Sequence, residues 1–140
     1  MTNIVPFQAW HLTWLEDHGI GEQYFHRMTP DVVRAMGVNA VSAIVDGDVI
    51  ACGGAIQFWP GRWQLWALLS LTRSGSHMTA ITYAARRFVS TLQGRIEFTV
   101  RKDFDKGHRW ARALGFKVET PLLVHFGPEG EDHVGYVKVQ

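Results

Sequence analysis

Apolar positions along this chain change repeatedly between the short period of a strand and the 3.6-residue period of a helix. Arg62 to Leu71 (RWQLWALLSL) is an almost unbroken apolar run between Pro60-Gly61 and Ser74-Gly75-Ser76, the pattern of a strand. In the next stretch, His77 to Gln93, Met78, Ile81, Ala85, Phe88 and Leu92 recur at three- and four-residue spacing, with Thr82, Arg86 and Ser90 on the opposite face. That spacing predicts a helix, with Ser76 capping its first turn and Gly94 stopping it.

The same reading extends to both ends. Ile4-Val5 predicts a short strand and Phe7–His18 a helix stopped by Gly19 and Gly21. Glu22–Met36 predicts a helix in two parts, restarted by Thr29-Pro30-Asp31 and closed by Gly37. Val38–Val45 and Val49–Phe58 flank Asp46-Gly47, a dipeptide that supplies the positive φ angles of a tight hairpin. Cys52-Gly53-Gly54 within the second of these strands predicts a bulge or a close approach. Arg95–Arg101 alternates as a strand, and the strand–helix crossover before it implies that it runs parallel to the Trp63–Leu71 run. Asp105–Leu114 is a helix stopped by Gly115, and Lys117–Phe126 with His133–Val139 form a terminal hairpin.

The 140 residues, 46% hydrophobic and 19% charged, suit one globular domain spanning 1–140. No apolar run is long enough to cross a bilayer, and MTNIVPFQAW lacks the basic start and long apolar block of a signal peptide. The single Cys52 cannot form an internal disulfide, so a cytoplasmic location is expected. The net charge of +1 conceals a basic middle: Arg86 to Lys117 holds nine basic residues against three acidic ones. Such a segment suits an anionic ligand, nucleic acid or an acidic protein surface, and also the solvated face of an ordinary protein.

Chemistry is concentrated after the central strand. A strand feeding a loop of small residues and then a helix start forms an anion site, and here the loop spans Thr72, Arg73, Ser74, Gly75, Ser76 and His77. An ordinary strand-to-helix connection reads the same way. Trp59, Trp63 and Trp66 cluster around a turn and suit a pocket or a partner surface, whereas Phe7, Trp10 and Trp14 suit a core. His11 and His18 share a helix face without a carboxylate or cysteine at ligand spacing, so no metal is expected. Neither a Walker loop nor a Ser/His/Asp motif is present.

The order of elements, the hairpin AIVDGDVIACGGAIQF, the loop after the fourth strand and the ending RWARALGFKVE resemble the GNAT N-acetyltransferase superfamily over nearly the whole chain. The resemblance implies an α/β domain with a mixed, mostly antiparallel sheet of six to seven strands, about four helices and a splay between strands 4 and 5. It also implies acetyl-coenzyme A as cosubstrate and an amine as acceptor. Loop residues Thr72 to His77 would meet the pyrophosphate and Arg73, Arg86, Lys106 or Arg109 the adenosine 3′-phosphate, with a backbone N–H of Leu69 or Leu71 polarising the acetyl carbonyl. Two features depart from the family pattern. Neither register of the loop fits the pyrophosphate signature, and Ala111 stands where the family's general acid is a Tyr. Candidates for proton transfer are then Glu97, His108 and Asp105, each with a plain structural reading as ion-pair partner, solvated side chain and N-cap. Small Trp-rich GNAT-like proteins with eroded signatures are similar to ones carried by tailed bacteriophages. That likeness implies an alternative: a binding module docking on a host protein in the host cytoplasm through Trp59, Trp63 and Trp66. Nucleic acid ranks last as a partner because no recognised binding signature accompanies the charge. Relatives form homodimers through either the splayed strands or the terminal hairpin, and both routes stay open.

Overall fold

The computed structural model describes residues 1–15, 28–70 and 75–140. Along the chain they form β1 (Thr2–Pro6), α1 (Ala9–Leu15), α2 (Pro30–Gly37), β2 (Ala40–Val45), β3 (Asp48–Trp59) and β4 (Arg62–Leu69). These are followed by α3 (Gly75–Ser90), β5 (Arg95–Arg101), α4 (Asp105–Ala113), β6 (Lys117–Leu123) and β7 (His133–Val139). The strands form one mixed sheet in the order β1-β2-β3-β4-β5-β7-β6. β4 and β5 run parallel, as the crossover implies, and among the described residues their ladder holds the pairs Arg62–Arg95, Trp63–Ile96 and Gln64–Glu97. The terminal hairpin is antiparallel and irregular, with register shifts on both sides of Thr120.

Several local expectations shift. Thr29 caps α2 through Val32 N–H, yet the helix continues through Gly37 instead of closing before it. α3 begins at Gly75, so Ser76 lies inside the first turn and does not cap it. Phe104, without a side-chain hydrogen bond, takes the N-cap position of α4, and Asp105 follows in the first turn. Asp46 and Gly47 both adopt positive φ, as a tight hairpin requires. The bulge of the β2–β3 pair falls between Ala43 and Ile44, away from Gly53-Gly54. Those glycines admit neighbouring backbone instead: a Cβ on Gly54 would lie 2.5 Å from the Asn39 carbonyl oxygen. The predicted helical residues between Glu16 and Arg27, His18 included, lie outside the described residues.

The contacts divide into two compact units. The first comprises Met1–Ile56 with Leu65–Arg87. Its core is Leu12, Leu15, Val49 and Cys52, with Phe7, Trp14, Val33, Ile44, Trp66 and Leu68 packed around them. The second comprises Gln57–Gln64 with Phe88–Gln140. Within it the Phe98 ring meets Phe116 edge-on at 4.8 Å and stacks on Tyr136 at 5.7 Å. Gln140 closes this unit, its side-chain amide donating to the carbonyl of Val89, in the last turn of α3, and to that of Leu92, just beyond the helix.

Candidate functional site

In the first unit, β4 delivers the chain to the expected phosphate loop. Leu69 ends the strand half-buried, and buried Ser70 donates its backbone N–H to the Ile50 carbonyl at 2.8 Å, which pins the exit. Leu71, Thr72, Arg73 and Ser74 lie outside the described residues. Gly75 opens α3, followed by Ser76 and His77 in its first turn. Among the described residues, nothing lies within 4 Å of a Cβ built on Gly75. The sixteen-residue helix presents the positive end of its dipole at this start, which suits a phosphate.

The second unit holds the three candidate proton-transfer residues. Glu97 is the hub of an ion network. Its Oε1 accepts from Arg62 Nη2 at 2.6 Å and Nε at 3.1 Å, and its Oε2 from Arg95 Nε at 2.5 Å. Arg95 also grips Glu119 with both terminal nitrogens. Burial alone would raise the Glu97 carboxyl, but the hydrogen bonds from Arg62 and Arg95 outweigh it and hold the group below the usual carboxylate range. The hydrogen bonds that Arg95 donates to Glu119 and Glu97 raise its own pKa in turn. A carboxylate held ionised by two guanidinium groups is a weak proton acceptor.

His108 is similarly committed. Its Nε2 lies 2.9 Å from the Lys102 carbonyl, which can only accept, so Nε2 carries the hydrogen. In the neutral ring Nδ1 is then the acceptor, and Tyr136 Oη donates to it at 2.7 Å. Tyr136 is only 2% exposed, so this bond satisfies a hydroxyl that burial would otherwise leave costly. Asp105 and Arg109 are exposed on α4.

The three tryptophans have different settings. Trp66 packs edge-on against Phe7 at 5.5 Å and donates Nε1–H to the Met36 carbonyl, within the first unit's core. Trp63 donates to the Gln93 carbonyl at 3.2 Å. Trp59 is 56% exposed, and beside it Phe58 is 47% exposed; the Arg62 guanidinium lies 4.8 Å from the centre of each ring. Phe58 and Tyr136 were not singled out in the sequence. The Phe58 ring meets Trp59 and Arg62 across the adjoining β3–β4 turn, whereas the hydrogen-bond partner of Tyr136, His108, lies twenty-eight residues back.

Among the described residues no group of three His, Cys, Asp or Glu could hold a metal. His11 instead enters a buried core network. Gln8 N–H donates to His11 Nδ1 at 3.1 Å, and Ser42 Oγ lies 2.7 Å from the same nitrogen and 3.3 Å from Cys52 Sγ. Burial lowers the His11 pKa and pushes the Cys52 thiol up to about 11, despite the Ser42 hydrogen bond. That thiol is a poor nucleophile.

A mixed seven-stranded sheet with a short parallel β4–β5 ladder and a helix start directly after β4 is the fold of the GNAT acetyltransferases. Solved structures agree. Ard1 from Thermoplasma volcanium superposes with a TM-score of 0.74 at 15% identity, covering 99% of this chain and 98% of that one. The ribosomal-protein-S18-alanine N-acetyltransferase from Escherichia coli gives 0.72 at 14%, covering 98% and 92%. A GNAT-family acetyltransferase from Bacillus cereus gives 0.65 at 13%, covering 100% and 98%. No protein-family model and no curated protein sequence matches the chain. Among the described residues no helix is long and apolar enough to cross a membrane.

Proposed function

We propose that this protein is a single-domain N-acetyltransferase that binds acetyl-coenzyme A and acetylates an amine on a protein or small molecule. The observation that carries this reading is the start of the long helix α3 at Gly75, the element that follows β4 in a GNAT fold. Bound acetyl-coenzyme A would supply a thioester. Gly75, Ser76 and His77 would hold its phosphates, with Thr72, Arg73 and Ser74 from the loop and Arg109 as a further cation. A backbone N–H of Leu69 or Leu71 would polarise the carbonyl while the acceptor nitrogen adds to carbon, the C–S bond breaks and the amine proton passes to solvent or to the departing sulfur. The acceptor nitrogen must arrive unprotonated, because Glu97 and His108 are already engaged. Asp105, exposed in the first turn of α4, is the remaining carboxylate candidate.

Those same engagements favour a second reading, in which the fold has become a binding module for a host protein, with the exposed Trp59 as anchor. Titration calorimetry with acetyl-coenzyme A and free coenzyme A separates the two. Micromolar binding abolished by Gly75→Trp supports the enzyme. A folded protein that binds neither compound excludes it, and a partner interaction that survives Gly75→Trp but fails on Trp59→Ala supports the module.

A further inference from the structure

The second unit treats its cations in two ways. Arg62 and Arg95 are gripped by Glu97 and Glu119, and Arg101 lies 3.8 Å from Asp103. In the first unit Arg34 is paired with Asp31. By contrast, the side chains of Lys102, Lys106, Arg109, Arg112 and Lys117 make no ion pair or hydrogen bond among the described residues, and all five are exposed. Lys106, Arg109 and Arg112 stand three residues apart on α4, within an arc of about 120° and about 9 Å of helix axis. Lys102 precedes the helix and Lys117 follows it. Asp105 is the one acidic residue in α4.

Such an array calls for counter-charge from outside the chain, and its surroundings indicate which kind. A specific protein interface is built around a buried apolar centre, and the exposed face of α4 has no large apolar side chain. Contact with a phosphate backbone needs no such centre, because release of condensed counterions supplies the affinity. One aromatic ring stands beside the array. Phe104, 47% exposed, lies against Gly107, where an added Cβ would come within 2.6 Å of the ring. A half-exposed ring flanked in sequence by Lys102 and Lys106 is the arrangement on which unpaired bases stack.

We propose that the α4 face binds single-stranded nucleic acid, with its phosphates on the five cations and a base on Phe104. Lys106 and Arg109 are also candidates for the coenzyme phosphates, so the variants below leave both in place; no recognised sequence signature is involved, since the surface is assembled from one helix and its two flanks.

The test is fluorescence anisotropy with labelled U12 and dT12 between 50 and 200 mM salt, alongside a poly-glutamate peptide of equal charge. The expected result is binding of the oligonucleotides with a log–log salt slope near −3.5, about 0.7 for each of five contacts. The triple variant Lys102→Glu, Arg112→Glu, Lys117→Glu, checked for an unchanged melting temperature, should bind at least ~10-fold more weakly with a slope near −1.4. Phe104→Ala should weaken binding about 5-fold or more with the slope retained. Absence of oligonucleotide binding at 50 mM salt overturns the proposal. So does equal affinity for poly-glutamate with no effect of Phe104→Ala, which would indicate an acidic protein partner. Coenzyme titration of the triple variant is a separate readout, so failure here leaves the acetyltransferase reading standing.

Discussion

Arg62 binds Glu97 through two nitrogens on one carboxylate oxygen, while its guanidinium sits 4.8 Å from both the Phe58 and the Trp59 ring centres. The pair therefore ties the β3–β4 turn to β5. Glu97→Gln should lower stability by about 1 kcal/mol, because it leaves the partly buried Arg62 guanidinium without a counter-charge while Arg95 keeps Glu119, and the partial exposure of Arg62 moderates the loss. Urea unfolding of the two proteins gives the difference. Because the Glu97 pKa is depressed in the fold, its contribution is present above the unfolded carboxyl value near 4.3 and disappears as pH falls through the folded value.

Acid sensitivity should begin earlier, at His11. Its Nδ1 already faces the Gln8 N–H donor, and burial lowers its pKa, so the folded protein disfavours the imidazolium. The stability from neutral His11 is complete above the unfolded value near 6.5 and falls as pH drops from there toward the folded pKa. Melting temperatures between pH 8 and pH 5 should decline in the parent and decline less in His11→Gln, which can still accept from Gln8. Equal slopes would show that another group is responsible.

Gly94 adopts φ +105°, and a Cβ there would lie 2.4 Å from the Gly61 carbonyl oxygen. Gly94→Ala should therefore cost at least about 2 kcal/mol, from strain and backbone collision together. Gly47, at φ +85° with nothing within 4 Å, isolates the strain: Gly47→Ala should cost only ~1 kcal/mol by the same denaturation measurement.

Trp66→Ala should cost roughly 3 kcal/mol, because it removes a partly buried ring from the first unit's core and leaves the Met36 carbonyl without its donor. Trp59→Ala should change stability by less than about 1 kcal/mol, since that ring is already half in water. A folded Trp59→Ala variant that loses a partner while keeping its melting temperature would mark the β3–β4 turn as a docking surface.

Local patterns carried most of the fold. The three- and four-residue spacing of Met78, Ile81, Ala85 and Phe88, Asp46-Gly47 in its hairpin, and the alternation of Arg95–Arg101 each specify an element without help from the rest of the chain, although the helix ends at Ser90, before the expected Leu92. The insertion of β7 between β5 and β6 is not local, and neither is the close approach that makes Gly54 necessary. The candidate site was less legible for the same reason. Nothing near Glu97 in sequence announces Arg62, and nothing near His108 announces Tyr136, twenty-eight residues away. Ser76 misled because its residue type favours a cap, whereas the helix starts one residue sooner, at Gly75.

Cys52, the chain's one cysteine, is 2% exposed, and its thiol stays protonated at neutral pH. A disulfide reagent in solution therefore reaches it only when the first unit opens. Its labelling rate would report the opening equilibrium of that core directly, in the unmodified chain. The cysteine that does no chemistry in the folded protein is thus a native timer for its unfolding.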